Sequence, residues 1–187
     1  MHHSSFIGHI ASIYKPNVYV ELGLYQGETL WNVIPHGVKC IGVDMSPNVF
    51  LEDLKRFSNV EIHYKTTDDF FVDFKGKNEG IDMAFIDADH NSVSALKDFE
   101  NVMELLNPGG IVLMHDTDPI SDFYINPGYC GDSYKLVDLF EQRNDINIIT
   151  LPINEAGLSI ITKKGNTRTQ RRTETTDAVS YNTVNNK

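Results

Sequence analysis

The stretch Phe85 to Asn91 reads FIDADHN, so two aspartates and a histidine follow directly on the apolar run IDMAFI. A second apolar run, GGIVLMH, ends in His115 and is followed by Asp116. Carboxylates and imidazoles at the ends of apolar runs are groups that bind cations or move protons. In an open α/β sheet the ligands sit beyond the carboxyl ends of the strands, near the point where strand order reverses. Two such ends side by side bring DADH to face HD. Asp87 and Asp116, with His115 as a further candidate, then form a largely oxygen-donor set suited to magnesium, calcium or manganese. Asp89 in the same run suits the cap of the next helix, or solvent, better than a metal.

A second constellation lies upstream. The run NVYVEL leads into ELGLYQGET, where Glu21, Gly23 and Gly27 precede a helix start. Glycines in a strand-to-helix turn let a ligand approach the backbone and meet helix amides. The spacing is G-x-x-x-G. Dinucleotide sites instead use G-x-G-x-x-G, whose middle glycine makes room for a pyrophosphate. The next apolar run, KCIGVD, ends in Asp44, placed to accept both hydroxyls of a ribose. An adenosine without a pyrophosphate fits both features.

These residues need elements to hold them. Short Val- and Ile-rich runs alternate with segments of helical period, the pattern of a parallel sheet flanked by helices. Strands are predicted at NVYVEL, KCIGVD, VEIHY, IDMAFID and GGIVLMH, with helices around residues 27–33, 47–57, 68–73 and 92–106. The last carries Val93, Leu96, Phe99, Val102, Met103 and Leu106 on one apolar face and stops at NPGG. Trp31 is expected to pack in the core. Residues 117–131, with two prolines, two glycines and three aromatics, read as a functional lid in which Tyr124 and Tyr129 are candidates to stack on a ring. A helix over 133–142 follows, then INIITL and GLSIIT, close enough to pair antiparallel.

The 187 residues allow one domain with a substantial core. No apolar run is long enough to span a bilayer, and the N-terminus lacks the basic start and cleavage site of a secretory signal, which points to a cytoplasmic protein. Cys40 and Cys130, far apart, read as two reduced thiols. The net charge is −10, and because residues 163–187 carry an excess of Lys and Arg, the remainder carries about −14. Such a body repels nucleic-acid backbones. The polar segment 163–187 is expected to be a disordered tail, which leaves 1–162 as the domain.

The motif ELGLYQG resembles the E/D-x-G-x-x-x-G of class I S-adenosylmethionine-dependent methyltransferases, Asp44 matches their acid after the second strand, and the C-terminal hairpin matches their reversed last strand. The resemblance covers Val18 to Thr162. It implies an α/β, Rossmann-like, doubly wound and mostly parallel seven-stranded sheet with an antiparallel C-terminal strand. It also implies that Glu21, Gly23 and Gly27 shape the cofactor turn, that Asp44 holds the ribose, and that KTTDDF, through Thr67 and Asp68, meets the adenine. FIDADH and NPGGIVLMHD resemble the metal-dependent O-methyltransferases that act on macrolide sugars and other glycans. In that group the aspartate ending the fourth strand (here Asp87, beside the cofactor as well) and a pair ending the fifth hold the metal. The pair is usually Asp-Asn, Asp-Asp or Glu-Asp; here it is His115-Asp116. Three residues beyond the metal aspartate these enzymes carry a base, lysine in catechol-type members and histidine in some sugar enzymes, and that position is His90. His115 is the second catalytic candidate. The implied acceptor is a small-molecule or glycan hydroxyl, without nucleic acid or membrane, and a homodimer is the candidate assembly. A catechol-type enzyme acting on a phenol is the alternative, and a non-catalytic cofactor-binding partner module the third.

Overall fold

In the computed structural model, which describes residues 2–165, the chain folds around one seven-stranded sheet. The elements run α1 (His3–Tyr14), β1 (Val18–Leu22), α2 (Glu28–Val33), β2 (Lys39–Asp44), α3 (Val49–Leu54), β3 (Val60–Tyr64), α4 (Thr67–Lys75), β4 (Ile81–Ile86), α5 (Ser92–Leu105) and β5 (Leu106–His115). A 3-10 turn (Ser133–Lys135), α6 (Leu136–Glu141), β6 (Ile146–Leu151) and β7 (Leu158–Lys163) complete it. The disorder expected for the tail lies, from residue 166 onward, outside the described residues.

The strand order is β3-β2-β1-β4-β5-β7-β6. The pairs from β3 to β5 are parallel, and β7 is antiparallel to both β5 and β6. The order reverses between β1 and β4, so the carboxyl ends of these neighbours, at Gly23 and Asp87, mark the switch point where open sheets bind ligands. Strand alternation sends Val20, Leu22, Ala84 and Ile86 to one face, with Phe70, Phe71, Phe74 and Phe99 of α4 and α5. Tyr19, Met83 and Phe85 go to the other, against Ile7, Ala11, Leu30 and Val33 of α1 and α2.

The strands and most helices form where periodicity and caps place them. Asn48, Thr66 and Asn91 cap α3, α4 and α5 with their side chains. Asp89, two residues before the cap position, accepts from the Asn91 amide at 3.0 Å. Three expectations need correction. Trp31 is exposed on α2, edge-on to Phe57 at 5.4 Å, and is not core. Val93 turns away from the core and faces a cleft, while Leu106 is already the first residue of β5, because α5 gives way to extended backbone at that residue. The N-terminal helix α1 was not foreseen; it packs Ile7 and Ala11 into the core and is capped by His2 rather than by a stronger capping residue. Cys40 and Cys130 are both free and buried. No helix among the described residues is long and apolar enough to cross a membrane.

Candidate functional site

The turn after β1 is shaped by close packing. Gly23 has φ +84°, and a Cβ there would lie 2.1 Å from the Asp87 carbonyl oxygen, so only glycine lets the ends of β1 and β4 meet. Gly27 has φ +76°, and a Cβ there would strike Leu54 of α3 at 2.5 Å. Glu21 points off the opposite side of β1 from Leu22 and is 1 % exposed. It accepts the Tyr19 hydroxyl at 2.7 Å and the Leu30 amide in the first turn of α2. This supplies the capping bond that Gly27, having no side chain, does not make. Glu21 and Gly27 thus build the turn from beneath and line neither cleft described below.

Burial pushes the Glu21 carboxyl up to about 8, with Asp87 adding to the rise and Tyr19 and Leu30 opposing it. The folded protein therefore holds a proton that the unfolded chain releases near its ordinary value of 4.5. That contribution to stability is complete below about 4.5 and is lost as pH rises to about 8. Glu21→Gln removes the titration and keeps an acceptor oxygen. It should raise the thermal midpoint at pH 8.5, by on the order of 2–4 kcal/mol of stability, and leave it nearly unchanged at pH 4. Thermal unfolding at the two pH values checks this; equal shifts at both would show that Glu21 is ionised in the folded state.

Two clefts open at the switch point. The first, about 420 Å³, runs from Gly23 and Asp44 between Lys65–Asp68 and the start of α5, over Val43, Met45 and Val93. Asp44 also secures the turn. One of its oxygens accepts the Leu24 and Tyr25 amides at 2.8 and 3.1 Å, and the other accepts the Ser46 amide at 2.8 Å. Thr67 and Asp68 both line this cleft, and Asp68 pairs with Lys97 at 2.7 Å.

The second cleft, about 710 Å³, is lined by Asp87, His90, His115 and Asp116, by Tyr124 and Tyr129 of the 117–131 segment, and by His2 and His3 of the N-terminus. Gly23, Asp44 and Ala88 line both clefts, so the two are continuous there. Asp116 is buried, with φ +60°, a left-handed conformation uncommon outside glycine and often found at functional sites. Its Oδ2 lies 3.2 Å from His90 Nε2, which is 3.7 Å from Asp87 Oδ1. One ligand atom from each of Asp87, His90 and Asp116 falls within a sphere of contacts no wider than 4.8 Å, a spacing that fits a single cation. His115 Nδ1 sits 3.2 Å from Asp87 Oδ1 and 3.3 Å from Asp116 Oδ1. Its Nε2 is buried without a partner among the described residues.

Electrostatics follow from this crowding. Burial alone lowers His115, but the hydrogen bond to Asp87 and the charges of Asp87 and Asp116 outweigh it and hold the ring above its ordinary value. Burial raises Asp116, against the opposing pull of His115 and His90 and with the help of the Asp87 charge. His3, its ring tilted against that of His115 at 4.2 Å, is pushed down to about 4 by burial and then by the neighbouring His115, so it is neutral at physiological pH. A His90 ring nitrogen, Nδ1, meets the Tyr129 carbonyl. A carbonyl only accepts, so Nδ1 carries a hydrogen, and Nε2 faces two carboxylates that also only accept, a gap that a proton on Nε2 or a cation among the three would fill.

The structure thus gathers Gly23, Asp44, Thr67, Asp68, Asp87, His90, His115 and Asp116 on one continuous surface. Sequence reasoning missed His2 and His3, which α1 delivers, and Asp98, which lines the first cleft. Asp98 had a readable signal: with Ala95, Phe99, Val102 and Met103 it falls on the buried stripe of α5, where an acid is out of place.

The sheet order, the reversed strand β7, the glycine turn and the acid ending β2 together define an α/β domain of the methyltransferase type. The family model described as "Methyltransferase domain" matches residues 20–117, and the chain belongs to that family. Among solved structures, the O-methyltransferase from Bacillus cereus in complex with SAH aligns with a TM-score of 0.72 at 17 % identity, over 87 % of this chain and 80 % of that one. TomG from Streptomyces achromogenes, an O-methyltransferase involved in tomaymycin synthesis and solved with SAM, aligns with a TM-score of 0.68 at 16 % identity, over 87 % and 80 %. The SAH-bound Podospora anserina methyltransferase PaMTH1 gives 0.68 at 17 % identity, over 87 % and 78 %. At these identities the likeness is one of fold. No curated protein matches the chain in sequence.

Proposed function

We propose that this protein is an S-adenosylmethionine-dependent O-methyltransferase acting on a sugar hydroxyl, free or in a glycan or glycosylated metabolite, with a divalent cation held by Asp87 and Asp116. The observation that carries this reading is the continuity of the two clefts at Gly23, Asp44 and Ala88. A nucleoside site on one side opens directly onto a cluster of acids and imidazoles on the other. SAM- and SAH-bound relatives of the same fold support the first half of the reading.

S-Adenosylmethionine supplies an electrophilic methyl group on a sulfonium, and the acceptor oxygen displaces the sulfur in line. The chain's residues align the reactants and take the proton. Gly23 permits close approach to the backbone, and Asp44 accepts the ribose hydroxyls while it holds the turn. Asp87 and Asp116, with oxygens directed at one point, would hold a cation that lowers the proton affinity of a bound hydroxyl. His90, with its tautomer set by Tyr129, offers Nε2 to the proton. A second role for the same nitrogen, as third ligand to the cation, is favoured by its convergence with the two carboxylates. His2, Asn154 and Glu155 give the acceptor cleft hydrogen-bonding groups beside Tyr124 and Tyr129, which suits a sugar. The contacts among Phe123, Tyr124 and Tyr129 favour a phenolic acceptor as the alternative.

Screening nucleotide sugars, simple glycosides and catechols with labelled S-adenosylmethionine, with and without divalent cation, tests the reading. Methylation of catechols alone would shift it to the phenolic class, and no turnover with bound cofactor would leave a binding module. Asp44→Ala should weaken SAH by about ten- to a hundredfold, since a charged acceptor is lost. Calorimetry that finds unchanged SAH affinity, or tight NAD binding, would remove the assignment of Asp44 to the ribose.

A further inference from the structure

The two clefts that meet at Gly23, Asp44 and Ala88 differ in charge. The first is lined by Lys65 and Lys97 as well as by acids. The second, where the acceptor belongs, is lined by the carboxylates of Asp44, Asp87, Asp116 and Glu155, and among the described residues no Lys or Arg lines it. The asymmetry is built into the chain. Residues 1–14, 98–134 and 144–162 supply most of this wall, and these stretches contain none of the protein's 16 Lys and Arg.

Three of these carboxylates already have partners. Asp44 accepts the Leu24, Tyr25 and Ser46 amides. Asp87 and Asp116 face His90 and His115, where a divalent cation would offset their charge. Glu155 is different: it is exposed, and among the described residues its carboxylate has no ion pair and no hydrogen bond. The imidazoles nearby do not supply a cation, since His3 is neutral at physiological pH and lies 3.4 Å from Asn154, while His2 meets Ser4 and Glu28. Burial and then the Glu155 charge raise the Tyr124 hydroxyl above its ordinary value, which puts the carboxylate beside that ring. Tyr129 stands edge-on to Tyr124 at 5.7 Å and also lines the cleft. A free carboxylate beside two aromatic rings is a setting that attracts an organic cation. An acceptor bearing a phosphate or carboxylate would instead meet like charges with no Lys or Arg to offset them.

We propose that the acceptor carries a protonated amine close to the hydroxyl it offers, as an amino sugar does, and that Glu155 with Tyr124 and Tyr129 holds this amine. The inference rests on the S-adenosylmethionine O-methyltransferase reading above and narrows its substrate class. Held as an ammonium, the amine has no lone pair and does not compete with the hydroxyl for the methyl group. Phosphorylated sugars, nucleotide sugars and uronates are excluded by the same wall.

Calorimetric titration of the SAH-saturated full chain tests the proposal. The probes are methyl glucoside, the analogues in which each hydroxyl in turn is replaced by an amine, their N-acetyl derivatives, and methyl glucuronide. The wild type should bind one of the amino glycosides about five- to thirtyfold more tightly than methyl glucoside or the N-acetyl derivatives, as expected of an exposed ion pair joined to a cation–aromatic contact. Methyl glucuronide should bind most weakly, and the margin for the amine should narrow in about 1 M salt. Glu155→Gln should cut that margin to about threefold or less, and Glu155→Lys should reverse the order in favour of the glucuronide. Glu155 is exposed, so neither substitution should shift the thermal midpoint by much. With labelled S-adenosylmethionine, the product from the preferred glycoside should carry its methyl group on oxygen. No preference for any amino glycoside, a margin unchanged in Glu155→Gln, or a product methylated on nitrogen overturns the amine and the role of Glu155 while leaving cofactor binding intact. Failure of wild-type protein to bind SAH at all overturns both this inference and the cofactor reading beneath it.

Discussion

Asp87→Asn should lower turnover by about 10²–10³-fold while SAH affinity stays within about threefold of the wild type. The asymmetry follows from position: Asp87 lines the acceptor cleft and does not line the cleft that runs to Thr67 and Asp98. Its Oδ1 lies 3.7 Å from His90 Nε2 and 3.2 Å from His115 Nδ1, so it ties both imidazoles to the point where Asp116 is aimed. Asparagine keeps the shape and loses the charge. Cation affinity should therefore fall in the same variant, and manganese titration followed by calorimetry reads that loss without any turnover. Asp116→Asn should behave alike, since its buried carboxylate would supply the facing ligand. Full activity after exhaustive chelation would remove the cation from the reaction and leave Asp87 as the group that orients His115.

Much of this arrangement was legible before the coordinates. Six of the seven strands both begin and end within one residue of the apolar runs, because period-two alternation and terminal Gly, Asp and Asn mark them strongly. The exception is β5, which starts at Leu106 because extended backbone begins before the NPGG turn that was read as its boundary. The clustering of Asp87, His90, His115 and Asp116 followed from topology: once β4 and β5 are neighbours, their ends must meet. Helix α1 escaped because its cap is His2 and its apolar residues are separated by serines and histidines that dilute the period. The site role of His3 escaped with it, since no local pattern tells a helix where it will dock. Trp31 misled for the opposite reason: aromatic size suggests burial, but its position on α2 places it opposite Leu30 and Val33, which take the core face. Glu21 belongs to the motif through the turn it builds: strand alternation sends it to the face opposite Leu22, where it holds the Tyr19 hydroxyl and lines neither cleft.

His90→Ala should reduce turnover by about 10²–10⁴-fold with cofactor affinity nearly unchanged. An alkyl hydroxyl attacks poorly until its proton is leaving, so a group within hydrogen-bond reach must take that proton as the new bond forms. His90 meets the requirement in three respects. Its Nδ1–H is spent on the Tyr129 carbonyl, which leaves the basic lone pair on Nε2. That nitrogen is directed into the acceptor cleft, 3.2 Å from Asp116 Oδ2. The ring is half-buried, so a proton it accepts can pass on to solvent. His115 lacks the third property: its Nδ1 is shared between the two carboxylates and its Nε2 is buried. His115→Ala should therefore weaken cation binding and rate together, as expected of a residue that orients the acids. Added imidazole separates the two cases, because it can replace a missing proton acceptor in a cleft left by His90→Ala but cannot re-aim Asp87 and Asp116. If His90 instead serves as third ligand to the cation, the variant recovers at high metal concentration and imidazole adds nothing more. Near-normal turnover in His90→Ala at ordinary metal concentration would leave His90 as the residue that joins the 117–131 segment to the start of α5 and pass the proton to solvent.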